Sequence, residues 1–316
     1  MVDVNSIDHD RRYSRVAKLH KYWSRKPWVG IDRYIQNYSK KDHLVLDPFC
    51  GSGIIGLQSV LAGRKFIGYD LNPFAAFLAQ NSLDIRHDPD SLDEEFHAIE
   101  NKVSDKIMNL YKAKDKYILY TILGKKNGKD YNAVIANEDF RDKEKVTLSK
   151  NNLEPTIRFP KNLEYPDKDF PKKFYKDRFS YKGVKKVSDM FTKRNLLSLA
   201  LLYNAIRELP LKHRNLFMLA FTNTLLHVSK LKAENVRPLG VNNFWIPDDF
   251  IEENVWWRFV DRVGNVKMAK EVVAEKASQN KVTDHTAKIY NKASLKMAEI
   301  EPLSVDYLIT DPPYGD

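Results

Sequence analysis

Cysteine is nearly absent: Cys50 is the one thiol in 316 residues. A lone thiol closes no intrachain disulfide and builds no cysteine-rich zinc site, so neither device holds this fold together. Long hydrophobic runs are missing too. The most apolar stretch, around Leu196 to Ile206, is too short and too interrupted to span a bilayer. Met1 to Arg12 alternates charges without the apolar core of a secretory leader, which points to a cytosolic protein with no membrane partner. No internal repeat and no low-complexity tract is present. Acidic residues are the minority, 42 Asp+Glu against 52 Lys+Arg, for a net charge of +10. That excess suits a polyanionic partner, because each neutralised phosphate releases condensed counterions, although mild basicity alone is common. What is present is ordinary globular composition. Hydrophobic residues make up 43% of a chain long enough for one large domain, or for one domain with a sizeable insertion.

The chain opens into a recognisable alternation at His43. A short apolar strand, His43 to Leu46, runs into Asp47-Pro48-Phe49-Cys50-Gly51-Ser52-Gly53, and a helical pattern follows through Ile54, Ile55, Leu57, Val60 and Leu61. Gly63 stops it, a second strand runs from Lys65 to Tyr69 and ends in Asp70, and a helix starts near Asn72-Pro73. Strand, loop, helix, strand, helix at this spacing predicts an α/β fold with a doubly wound sheet. A helical stretch is expected over about Ser91 to Tyr120. Further helices are expected over Asn195–Leu209, Leu216–Val228 and Val266–Ala277, with Trp245, Trp256 and Trp257 in a loop before the last. Sheet signals return only at Ala287–Tyr290 and Val305–Thr310, the latter delivering Asp311-Pro312-Pro313-Tyr314. Three regions follow: 1–84 with the glycine loop, a mainly helical insertion over 85–280, and 281–316 returning to the sheet.

Gly51 and Gly53 permit backbone angles and a close approach that a β-carbon would block. The helix N-terminus behind them offers free N–H groups to an anion. Asp70, at the end of the second strand, is placed to accept hydrogen bonds from both hydroxyls of a ribose. Cys50 reads as a small packing residue, since no histidine stands at a useful spacing.

The string DPFCGSG with GRKFIGYDLNP after it resembles the cofactor-binding motif of the amino methyltransferases of DNA, which methylate adenine N6 or cytosine N4. The segment His20-Lys21-Tyr22-Trp23-Ser24-Arg25-Lys26-Pro27-Trp28 resembles the YWSxKPW stretch found ahead of that loop in a subset of the family. The resemblance covers residues 20–80 and 303–316, with a weaker echo at Met190–Leu197 and at Asn254–Trp257. It implies a Rossmann-like methyltransferase sheet and S-adenosylmethionine as cofactor. Asp47, Pro48, Phe49, Gly51, Ser52, Gly53, Asp70 and Asn72 would then form its pocket, with Tyr22, Ser24 and Lys26 at the methionine end. Where the family often carries an acid toward the cofactor's adenine, this chain has Asn291.

Methylating an aromatic amine is difficult because its lone pair is delocalised into the ring. A carboxylate and a backbone carbonyl, fixed side by side, accept the NH₂ hydrogens and favour the nucleophilic geometry. Asp311 and the Pro312 carbonyl supply that pair, Pro312 and Pro313 stiffen the turn, and Tyr314 offers a face for a flipped base. A plain turn after a strand would also use Asp-Pro-Pro. In the family DPPY is commoner among adenine N6 enzymes, and a leading serine marks cytosine N4 enzymes, so adenine is the expected base.

Between Arg141 and Lys186 fourteen Lys/Arg stand against seven Asp/Glu, with aromatics interleaved. This segment, with Lys172, Lys173 and Lys176, is a candidate DNA grip, and Lys193, Arg194 and Lys230 are candidate phosphate contacts. The sheet strands that follow DPPY in the family are not in the sequence, so a second polypeptide completing the sheet, or a restriction or defence component, is an expected partner. Two other readings stay open: a guanine-N2 methyltransferase of transfer RNA, and a non-catalytic nucleic-acid-binding fragment or subunit.

Overall fold

A computed structural model describes residues 13–16, 19–22, 26–86, 88–124, 130–149, 157–171, 183–234, 246–282 and 286–312. Ser24, Pro313, Tyr314, Trp245 and the Lys172, Lys173, Lys176 cluster lie outside the described residues. In chain order the first elements are α1 (Tyr13–Val16), α2 (Trp28–Tyr38), β1 (Leu44–Asp47), α3 (Ile54–Leu61), β2 (Lys65–Tyr69), α4 (Pro73–Leu83) and α5 (Pro89–Met108). Then come β3 (Lys112–Ala113), β4 (Lys116–Gly124), β5 (Asp130–Ala136), β6 (Lys143–Ser149), α6 (Lys193–Glu208) and α7 (Arg214–Val228). The chain continues through β7 (Asp249–Glu253), α8 (Val255–Gln279), β8 (Ala287–Tyr290) and β9 (Tyr307–Leu308). They form two compact units, residues 1–88 with 265–316, and residues 89–264. Among the described residues no helix is long and apolar enough to cross a membrane.

The first unit is an α/β layer around a parallel sheet of order β8-β2-β1-β9. Register runs Val45 to Phe66 and to Tyr307, and Phe66 to Ala287. Parallel strands are buried on both faces and read as continuous apolar runs, as Leu44-Val45-Leu46 and Phe66-Ile67 do. Val45, Phe66, Leu57, Val60, Ile35 and Leu83 form the core with Val272 and Val273 of α8. The ladder of β9 is short, but Asp306 N donates to Leu44 O and Ile309 N to Leu46 O, so the extended course expected over 305–310 holds.

The second unit departs from expectation. Beside its helices α5, α6, α7 and the start of α8 it holds an antiparallel sheet β3-β4-β5-β6, in which β7 also pairs with β4, and that sheet is not expected from the sequence. The helix expected to reach Tyr120 stops at Met108. Lys114 turns the chain with φ 58, and Tyr117, Ile118, Tyr120, Thr121 and Ile122 then supply the β-branched and aromatic side chains that strands favour. Leu119 and Ile118 are apolar neighbours with no polar alternation, which hid the strand from a period-based reading. Trp256 and Trp257 fall inside α8, not in a loop before it.

The two weaker sequence echoes meet inside this unit. Thr192 caps α6 by accepting from Asn195 N (3.2 Å), and its hydroxyl also bonds Glu252. The Arg194 guanidinium pairs with Glu252, their side chains 6% and 3% exposed, and lies 4.9 Å over the Tyr111 ring. Asn195 Nδ2 donates to Val228 O (2.8 Å) and Glu253 O (3.1 Å), and Asn254 Nδ2 to Ile118 O (3.0 Å). Arg194 is therefore a buried structural ion, not a phosphate contact. Lys230 is likewise turned inward, donating to Asp189 O at 2.8 Å, with burial lowering its pKa. Lys193 alone of the three is exposed.

Candidate active site

Because all four strands of the first unit run the same way, their carboxyl ends share one edge of the sheet, where open α/β folds bind ligands. Asp47 ends β1, Asp70 and Asn291 follow β2 and β8, and Asp311 lies beyond β9. Asp47 is 1% exposed. Its Oδ1 accepts from Phe49 N (3.0 Å) and from the Thr310 hydroxyl (2.9 Å), so one buried carboxylate ties the glycine loop to the residue before Asp311. It is a bracket between the two motifs more than a pocket wall. Thr310 was not singled out in the sequence; its place one residue before the Asp-Pro turn was the available signal.

Burial pushes the Asp47 pKa up to about 6, with the nearby Asp70 and Asp311 charges adding to it and the Phe49 and Thr310 donors opposing it. A carboxyl that binds its proton more tightly in the folded state contributes stability that is complete below the unfolded pKa. That contribution is lost as pH rises through the folded value. Between about pH 4 and pH 6 the first unit should therefore lose roughly 3 kcal/mol from this group, on the scale of 1.36 kcal/mol per pKa unit. Asp47→Asn keeps an acceptor for Phe49 and Thr310 and should flatten that part of the stability profile. Urea unfolding across this pH range checks it, and an unchanged slope would clear Asp47 of the role.

The glycine loop is held from two sides. Gly51 and Gly53 both have positive φ, 52° and 78°. A β-carbon on Gly51 would stand 3.3 Å from the Tyr22 ring, so Tyr22 lies against the loop as expected of the upstream segment. On Gly53 it would stand 2.9 Å from the Ala79 Cα, so that glycine lets the loop seat on α4. His20, 4.8 Å from the Phe74 ring in an edge contact, anchors the upstream segment further. Burial first, then Asp70 and Cys50, raises the Tyr22 pKa, which keeps the phenol neutral. Cys50 is buried and its thiol is pushed up by that burial, as suits a packing residue. Pro48 and Ser52 are buried, while the Phe49 ring is 42% exposed.

Asp70 is engaged on both oxygens. Oδ2 accepts from Gly51 N and Oδ1 from Asn72 N, each at 2.8 Å. The Gly51 amide is thus taken by Asp70 and is not among the donors offered to an anion. Each carboxylate oxygen carries a second lone-pair direction, so two ribose hydroxyls can still be accepted. Asn72 caps α4, its Oδ1 accepting from Phe74 N at 2.9 Å, and Pro73 opens the helix. Asn291 Nδ2 donates to Asp70 O (3.0 Å) and Leu71 O (3.2 Å). Both asparagines therefore shape the Asp70 loop.

Lys26, expected at the methionine end of a cofactor, instead has its ammonium 2.9 Å from Asp311 Oδ2. Pro312 is exposed beside it. The upstream segment, glycine loop, Asp70 and Asp311 thus come to one edge of one sheet. A glycine cradle faced by an aromatic ring and closed by a carboxylate fits a nucleoside carrying a charged tail.

Comparison with known proteins points the same way. Residues 3–81 match the DNA methylase family. Over 50 residues, 16% of this chain and 18% of the relative, the sequence is 42% identical to the type II methyltransferase M2.MboI of Moraxella bovis. It is 31% identical over 84 residues to the DNA adenine methyltransferase YhdJ of Escherichia coli, 27% of this chain and 29% of that one. With the type II methyltransferase M.HpaI of Haemophilus parainfluenzae it shares 33% identity over 107 residues, 34% and 33% of the two chains. The chain thus spans 18% to 33% of the length of these relatives. No solved structure matches.

Proposed function

We propose, for a chain whose residues 3–81 match the DNA methylase family, that it transfers a methyl group to the exocyclic amine of adenine in DNA. Methyltransferases of this family use S-adenosylmethionine, which supplies an electrophilic methyl on a sulfonium. The observation that carries the reading is the meeting of Asp311, Lys26, Tyr22, the Gly51–Gly53 loop and Asp70 at one end of the parallel sheet. A doubly wound, Rossmann-like sheet with residues 89–264 as the insertion is the architecture this implies.

In this reading Tyr22 and the loop seat the methionine part, and Asp70 accepts the ribose hydroxyls. Phe49 and Asn291 border the adenine, Asn291 through the amide oxygen that its contacts to Asp70 and Leu71 leave over. Asp311 accepts one hydrogen of the target amine and the Pro312 carbonyl the other, which draws the nitrogen lone pair out of the ring's conjugation. Tyr314 stacks on the base once it has left the duplex. The proton released from nitrogen passes first to the Asp311 carboxylate. Adenine is preferred to cytosine because the motif begins with aspartate. Among the described residues β9 has a strand on one side only, with Leu308 54% exposed. A further strand, of this or a second polypeptide, would pair there.

The deciding experiment is methyl transfer from tritiated S-adenosylmethionine to DNA and, in parallel, to transfer RNA, followed by nucleoside analysis. Label in N6-methyladenine from DNA supports the proposal. Label in N2-methylguanine from RNA would overturn it, and cofactor binding without transfer would favour a non-catalytic subunit. Asp70→Ala should weaken cofactor binding by about 1–3 kcal/mol, the scale for hydrogen bonds to a charged group. Calorimetry reads this directly, and equal affinity would remove Asp70 from the pocket.

A further inference from the structure

An aspartate on an exposed turn rotates about its last side-chain bond, and that rotation swings both oxygens. A charge-assisted contact on one oxygen stops the rotation and so sets where the other one points. Lys26 Nζ stands 2.9 Å from Asp311 Oδ2, the side chains 34% and 36% exposed. Water screens a pair this open, so it adds little to stability; its consequence is direction. The preceding residue is held separately, because the Thr310 hydroxyl donates to the buried Asp47 at 2.9 Å. Lys26 is itself constrained, since Pro27 follows at φ −64 and α2 begins at Trp28. Two independent ties therefore act on this turn, one on the Thr310 hydroxyl and one on the Asp311 carboxylate.

We infer that Lys26 is a positioning residue for methyl transfer, aiming the Asp311 carboxylate at the target amine, and does not grip the cofactor. The inference rests on the proposed role of Asp311 as acceptor for that amine. The segment on which Lys26 lies brings Tyr22 against the glycine loop, while the Lys26 ammonium reaches the Asp311 carboxylate.

The test uses Lys26→Met and Lys26→Arg in the full chain, each alone and combined with Asp311→Ala. Three quantities are read: S-adenosylmethionine affinity by calorimetry, methyl transfer to plasmid DNA, and hydrogen exchange of the 305–311 amides. Lys26→Met should lower kcat about tenfold with cofactor affinity changed less than about twofold, the signature of a group acting in the transition state. Lys26→Arg should recover most of the rate, because a guanidinium still reaches the carboxylate. On the Asp311→Ala background Lys26→Met should cost nothing further. Exchange at the Asp311 amide should rise in Lys26→Met. Weaker cofactor binding with kcat unchanged at saturation would make Lys26 a cofactor ligand and overturn the inference. Additive losses in the double variant, or unchanged exchange, would overturn it too. A wild-type chain that methylates neither DNA nor RNA would sink the proposed function, while calorimetry and exchange would still decide for or against Lys26.

Discussion

Asp311→Ala should cut methyl transfer by about 10²-fold or more, the scale for removing one preorganised group at a reacting centre. Cofactor affinity should stay within about twofold of wild type, since the lost acceptor acts on the base and not on the donor. The N–H groups become stronger donors as positive charge develops on the attacking nitrogen, so an acceptor fixed in advance is worth more in the transition state than in the bound complex. Asp311 is placed in advance: the hydroxyl of the preceding Thr310 is tied to Asp47, and Lys26 holds one carboxylate oxygen. Steady-state kinetics with DNA as acceptor, beside calorimetry with the cofactor alone, separate the two effects. A variant that keeps its rate but loses the cofactor would place Asp311 in the other half of the site.

The second large effect concerns stability. Arg194→Met should destabilise the 89–264 unit by about 3–5 kcal/mol, because it leaves the Glu252 carboxylate buried without its counter-ion. Glu252 is 4% exposed, and among the described residues its remaining side-chain hydrogen bond is from the neutral Thr192 hydroxyl, with the Lys230 charge acting on it without a hydrogen bond. Replacing both residues, Arg194→Met with Glu252→Gln, should recover part of the loss, since the desolvated charge is then gone with its partner. Chemical denaturation of the single and double variants measures this. A single variant as stable as wild type but with weaker, less salt-dependent DNA binding would restore Arg194 as a phosphate contact.

The parallel sheet and its ligand edge were legible along the chain because their signals are local. Leu44-Val45-Leu46 and Phe66-Ile67 are apolar runs of strand length, Gly51 and Gly53 mark a turn that needs positive φ, Asp70 follows β2 and Asp311 lies beyond β9. Asn72-Pro73 announces α4 by capping chemistry, and that helix begins there. Each of these is written in a few consecutive residues, and so is the family resemblance, which the match to residues 3–81 bears out over that stretch.

Tertiary structure decided what depends on residues distant in sequence. Strands β4 to β7 are half-buried segments that pair with one another across long sequence separations, and no periodicity within Lys116–Gly124 declares that pairing. Charge has the same ambiguity: Arg194 and Lys193 are neighbours, yet one is sealed against Glu252 and the other faces water. Sequence carries the charge, but its surroundings set whether it meets a phosphate or a buried carboxylate. Asp47 and Lys26 make the case most plainly. Sequence placed both near a cofactor by motif, whereas the fold turned Asp47 toward Thr310 and Lys26 toward Asp311, because parallel pairing sets β9 beside β1.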